Sequence, residues 1–465
     1  VSDPGQGQPP VEVHYAYGTA TVPDTHNFLG HDASGLIFED NGLDNLYRIT
    51  EAYLYGTTET LMDGGQAVRS IERTFNRFHL MTEQRVTQGR NVKITATVYH
   101  ADDELSFDQQ PAYCQLPFTA TDTWFSLDDA NRVRHETVTT TYDTFGNLLE
   151  QVQANGVTET RHWYPAEGED GRCPPDPEGF VRQLASRTVT PAVSTHGEPA
   201  PVLRTHYRYD ALPPVSGAER PWLVLSEEAL LQVEPALRQE TPLHFTRRTY
   251  INDPADALKH GRPLQECFTL NGIDTLTDYA YAKIAARHVG VGDSVLESTQ
   301  TLSSSLDAER KVITLEHSLL SGEALLTRDD TDVEIRYQYD PLGRVVAETV
   351  APGTEYEATR SYRYHLAAHD QDQAWQEVVN VKGVTVRSEL DGLGRVLKER
   401  RQDADGDNAL RDTYAARYDA RGQLISETQI DWMIGQATLE LTRHFGYDDW
   451  GQQISETGPD GVVSF

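Results

Sequence analysis

From Val333 to Asp340 the chain alternates, with Val333, Ile335, Tyr337 and Tyr339 interleaved with Glu334, Arg336, Gln338 and Asp340. A period of two is that of a β-strand, whose successive side chains point to opposite faces. It predicts a strand with one buried and one wet face. The same alternation runs through Leu439, Leu441, Phe445 and Tyr447, with Arg443 as the exception. In two stretches, residues 227–237 and 277–287, Ala and Leu replace the β-branched alternation. These predict short helices inserted on a sheet.

The alternating runs lead into a recurring tip. Tyr339-Asp340-Pro341-Leu342-Gly343-Arg344, Leu390-Asp391-Gly392-Leu393-Gly394-Arg395, Tyr418-Asp419-Ala420-Arg421-Gly422-Gln423 and Tyr447-Asp448-Asp449-Trp450-Gly451-Gln452 align on an aspartate. A fifth copy, Tyr142-Asp143-Thr144-Phe145-Gly146-Asn147, lies far upstream. Each has glycine three residues after the aspartate and an apolar residue six after it: Leu149, Val346, Leu397, Ile425 and Ile454. Glutamate follows at eight in four of them, as Glu348, Glu399, Glu427 and Glu456. Aspartate accepts from nearby backbone amides and glycine suits the end of a type I turn, so each motif predicts a hairpin tip.

The aspartate spacings are 391 − 340 = 51, 419 − 391 = 28 and 448 − 419 = 29. The first is a double period holding a worn repeat, with residues 362–369 as its remnant. Residues 75–83 align with the upstream copy, Asn76 standing for Asp and His79 for Gly, and residues 43–51 fit more loosely. A repeat that spans the chain predicts an all-β protein, a long antiparallel sheet of hairpins with a few short helical insertions. Degenerate repeats fill residues 1–140, and a repeat region with loop and helical insertions fills 141–330. Regular repeats fill 331–465, continuous with the preceding sheet. Pro- and Gly-bearing stretches at 164–179 and 191–201 predict loops.

Composition narrows the possible functions. Lys and Arg number 40 against 72 Asp and Glu, a formal net charge of −32. That excess argues against nucleic acid, whose phosphates need a basic footprint. It disfavours an anionic membrane surface for the same reason, and no apolar run is long enough to span a bilayer. Cys114, Cys173 and Cys267 are too far apart for a CxxC pair, so neither zinc nor a disulfide framework is expected. The chain opens Val1-Ser2-Asp3-Pro4 without an initiator Met or a basic-then-apolar leader, so no signal peptide is expected in it.

The Tyr-Asp-x-x-Gly-Arg/Gln unit with a hydrophobic strand behind it resembles the Rhs/YD-repeat family. In that family the repeats wind into a hollow β-cocoon around a toxic C-terminal domain, as in bacterial Tc-toxin complexes and type VI secreted Rhs effectors; teneurins use a similar shell. Residues 27–31 and 76–80 resemble the region leading into the repeats of members related to Tc toxins. The resemblance implies a structural shell segment of an exported bacterial polymorphic toxin. Its implied partner is an encapsulated toxin polypeptide from the same parent chain, with a secretion or delivery component besides. No catalytic residue is carried over, because the family's self-cleavage centre and toxin would lie beyond Phe465. Further repeats are expected there. A surface carbohydrate-binding or adhesion module using exposed Tyr and Trp is the alternative, and a glycosidase on a β-propeller a weaker one, since blades need about 40 to 50 residues.

Other chemistry is incomplete. The run from Asp403 to Asn408 lacks the Gly at position 6 and the Glu at position 12 of a calcium loop, so it predicts a solvated hairpin tip. His365 and His369 are four apart, yet Leu366 stands where the zinc-protease pattern needs Glu. No GxSxG elbow or phosphate-cradling GxxxxGK[ST] loop occurs, and no catalytic, cofactor or metal residue is assigned. The predicted functional residues are therefore turn residues: Tyr142, Asp143, Gly146, Tyr339, Asp340, Gly343, Asp391, Gly394, Tyr418, Asp419, Gly422, Tyr447, Asp448 and Gly451.

Overall fold

A computed structural model describes residues 1, 5, 7–28, 45–48, 52–194, 197, 200–234, 236–285, 294–369, 372–432 and 435–465. The loose repeat at 43–51 and the lead-in at 27–31 lie largely outside these residues. The described residues form one sheet of 29 strands. Every strand pairs antiparallel with the next in chain order, from Glu12–Tyr17 on Leu54–Asp63 to Gln453–Thr457 on Val463–Ser464. The chain is an uninterrupted meander.

The two segments expected to be helical are strands. Residues 227–234 belong to Trp222–Glu234, hydrogen-bonded on both sides, and residues 277–284 to Ile273–Ile284. Backbone ladders on two flanks outweigh a helix propensity of a few tenths of a kcal/mol per residue. Cross-strand charge adds to this, since Glu227 pairs with Arg247 at 2.8 Å and with Arg208 at 3.6 Å. Among the described residues the only α-helix is the short Asn45–Arg48.

The division into a dry and a wet face is also corrected. Every position of Val345–Val350 and of Thr385–Leu390 is half-buried, while Val333 is exposed and the charged Glu377 is only 4% exposed. Among the described residues each strand makes its main contacts with its chain neighbours. In these strands cross-strand partners half-cover both faces alike, whereas Arg310–Ser318 keeps one buried face in Thr314, Glu316 and Ser318. Cross-strand ion pairs run through the strands accordingly: Arg387 and Arg363 on Glu377, and Arg400 on Glu389 and Asp412. Few side chains are fully buried, Leu325, Leu326, Val92 and Val295 among them.

In a meander the turns alternate between two edges of the sheet. The tips at Asp143, Asp340, Asp391, Asp419 and Asp448 share one, the aspartate edge. Turns at Gly64–Gly65, Gly89–Arg90, Asn271–Gly272 and Asn380–Gly383 lie on the other. The sheet winds until these edges meet. The Arg90 amide donates to Asp449 Oδ2 at 3.1 Å, and the Tyr418 amide donates to Gln8 Oε1 at 3.1 Å. The first contact joins the turn after the 4th strand to the tip after the 27th, 27 − 4 = 23 strands on. The second joins the segment before the 1st strand to the end of the 25th, a span of strands 1 to 25, or 25 − 0 = 25 strands. The two contacts therefore close windings of 23 and 25 strands.

Candidate functional site

The repeated feature of the molecule is the tip. Asp340 Oδ1 accepts from the Leu342 and Arg344 amides at 2.9 and 3.0 Å, and Oδ2 from Arg344 Nε at 2.7 Å. The Gly343 amide donates to the Asp340 carbonyl and the Asp340 amide to the Arg344 carbonyl, closing a three-residue loop. The register shifts by one residue just before the loop, between Gln338 and Tyr339, which is the bulge that such loops carry. Asp391, Asp419, Asp448 and Asp143 accept from the amides two and four residues on in the same way. Gly146, Gly343, Gly394, Gly422 and Gly451 have φ of 83°, 74°, 78°, 86° and 84°. That left-handed conformation is open to glycine at little cost.

The cation at the fourth position after the aspartate couples neighbouring tips. Arg344 and Arg395 each pair with their own aspartate, and Asp391 is fully buried beneath that pair. The Arg344 hydrogen bond, ahead of the opposing effect of burial, holds the Asp340 carboxyl below the usual carboxylate range. Each guanidinium also lies over the tyrosine of the next hairpin on this edge, Arg344 on Tyr364 at 4.5 Å and Arg395 on Tyr418 at 4.4 Å.

The tyrosine before the aspartate is a clamp. The hydroxyls of Tyr339, Tyr418 and Tyr447 donate to the carbonyls of Ala324, Val396 and Leu424 at 2.7, 3.1 and 2.8 Å. Each acceptor opens the second strand of the preceding hairpin on the same edge. Burial raises the pKa of these phenols, so they stay neutral donors. Tyr142 is different, its ring meeting His100 edge-on at 5.8 Å. Leu390 has no hydroxyl, and Gln373 Nε2 donates to its carbonyl instead. The recurring glutamates also have partners: Glu348 accepts from Tyr362, Glu399 from Ser388 and Glu427 from Tyr414. Arg443 bridges Glu427 and Glu456.

The clamp exposes repeats that the Tyr-Asp spelling hides. Tyr364 donates to the Val345 carbonyl at 2.9 Å and so fills the gap between Asp340 and Asp391, with His365 in the aspartate place. Tyr99, Trp163, Tyr209 and Tyr250 make the same bond to Met81, Leu148, Leu184 and Leu225. Asp176 is a further tip, accepting from the Glu178 and Phe180 amides and from Arg182, with Gly179 at φ 75°. Its Asp-x-x-Gly spacing was readable, but it lies in the stretch read as a loop. Asn76 closes a tip by the same bonds, with His79 at φ 61° in the glycine place.

The other candidate groups are engaged within the sheet. Arg411 closes over Asp403 and Asp407, each at 3.0 Å, at the tip following Val396–Gln402. His365 bonds Asp372 at 2.8 Å and stacks on Trp375. Among the described residues no three His, Cys, Asp or Glu side chains converge to hold a metal ion. A cavity of about 760 Å³ beside the 164–179 loop is lined by Arg172, Cys173, Arg208, Glu227 and Arg247. Its charges are largely paired, Arg172 with Glu169 and Arg247 with Glu227. Burial, followed by the charges of Asp176 and Glu169, pushes the Cys173 thiol up to about 11, away from a nucleophilic thiolate.

No protein-family model matches the chain, and no curated protein matches it in sequence. Among solved structures it is similar to a chain of TcdB2-TccC3-TEV, with 13% identity and a TM-score of 0.24, over 87% of this chain and 26% of that one. It is also similar to a chain of the Photorhabdus luminescens Tc holotoxin pore carrying TccC3-D651A, with 12% identity and a TM-score of 0.23, over 88% and 26%. The chain thus spans about a quarter of the length of each. No helix among the described residues is long and apolar enough to cross a membrane.

Proposed function

We propose that the chain is a section of wall of a hollow shell of the Rhs/YD-repeat kind, enclosing a toxic polypeptide that belongs to an exported bacterial protein. The observation that carries this reading is the single-layered meander whose two edges come together after one winding. A single sheet wound on itself bounds a space. The tip lock and tyrosine clamp stiffen that wall hairpin by hairpin. In this reading the wall has no chemistry of its own, and its partners are the enclosed polypeptide and a delivery component.

The test is protection of a contained chain. An unstructured reporter polypeptide fused to the wall protein is exposed to protease, and its lifetime is compared with that of the free reporter. Protection by tenfold or more, together with reporter density inside the wall by electron microscopy, is the expected result. Digestion at the free rate overturns the container.

A further inference from the structure

We infer that Asp449 is a latch that sets the winding of the wall, and that the seam it closes is the line along which the wall opens. Three observations meet at this residue. Asp449 directly follows the tip aspartate Asp448, whose carboxylate is occupied by the Trp450 and Gln452 amides. The Asp449 carboxylate is therefore not needed for the turn. It reaches instead to the opposite edge, 359 residues earlier in the chain, where it accepts from the Arg90 amide.

The receiving turn is shaped for it. Gly89 has φ +55°, and a Cβ built there would run into the Asp449 carboxylate. Most glycines at positive φ, such as Gly64, Gly65, Gly272, Gly383 and Gly394, would meet nothing within 4 Å. Backbone conformation alone would favour glycine at 89, and the seam adds a steric demand of its own.

The seam is also the weakest line in the wall. Successive strands are joined by ladders of backbone bonds along their whole length, such as those between Ile273–Ile284 and Val295–Ser304. Among the described residues the two edges are joined by the Asp449 bond and, one hairpin back on the aspartate edge, by Gln8 to the Tyr418 amide. A net bond to a charged acceptor is worth little beside a ladder, so the seam yields first under load. The latch concerns how the wall closes, not what it encloses, and so stands apart from the container reading.

The test uses the full chain with three changes made separately. In Asp449→Ala, hydrogen exchange at the Arg90 amide rises tenfold or more and the radius of gyration grows, while amides of the Ile273–Ile284 strand, away from the seam, keep their protection. In Asp449→Asn, whose side-chain oxygen still accepts, exchange at Arg90 stays within about threefold of the parent. In the third, Arg90→Cys with Trp450→Cys, a short bis-maleimide cross-links the pair within one chain, which keeps the test alive should Asp449→Ala fail to fold. Equal Arg90 exchange in parent and Asp449→Ala, or a folded double-cysteine chain that does not cross-link, overturns the latch. A cross-linked seam around a reporter that is still digested overturns the container and leaves the latch standing.

Discussion

At the scale of single residues, the repeat spelling records a set of hydrogen bonds more than a recognition surface. Aspartate and glycine are dictated by the turn and are the readable part. Gly422 at φ +86° illustrates the constraint. Gly422→Val should lower unfolding stability by about 1 to 3 kcal/mol, because a β-branched residue is strained in the left-handed region; urea denaturation measures it. The tyrosine is harder to read, because its partner is a backbone carbonyl on a different hairpin. Tyr418→Phe keeps the ring under Arg395 and removes only the bond to Val396. We expect a loss of about 1 kcal/mol by the same measurement, with unchanged spectra.

At the scale of elements, strand identity was legible where alternation was strict and failed where Leu and Ala clustered. In Trp222–Glu234 the buried Ala229 and Leu231 do alternate, but the neighbouring Leu225 and Leu230 blur the period. What decides the element is the pair of strands flanking it, which local sequence does not display. The face assignment failed in Glu334–Tyr339, where residues of both parities are half-buried. Cross-strand ion pairs add to the backbone ladders, and charge brings pH dependence. The Arg187 hydrogen bond, then the opposing effect of burial, then Arg161 leave the Glu159 carboxyl below its ordinary value of 4.5. A carboxyl depressed in the folded state binds its proton more tightly in the unfolded chain, so acid favours unfolding. Its contribution is full above about pH 4.5 and is lost as pH falls through the lower, folded value. Urea midpoints followed from pH 6 to pH 3 should therefore fall, and in Glu159→Gln they should fall less steeply.

At the scale of the whole molecule, the presence of a repeat and the sheet class followed from spacing, while the winding did not. Nothing near Asp449 or Gly89 in the sequence announces that they touch, because 359 residues separate Arg90 from its acceptor. That separation has a consequence for how the protein comes into being on the ribosome. Each hairpin can form as soon as its two strands have emerged, since its contacts are local and such contacts form early. The Asp449 latch cannot close until the 27th strand and its tip have been made. At about 5 to 20 residues per second, translating the 359 residues from Arg90 to Asp449 takes roughly 20 to 70 s. For that interval the nascent sheet stays unlatched at Asp449, which on the proposed container reading is the time in which an enclosed polypeptide enters from the side.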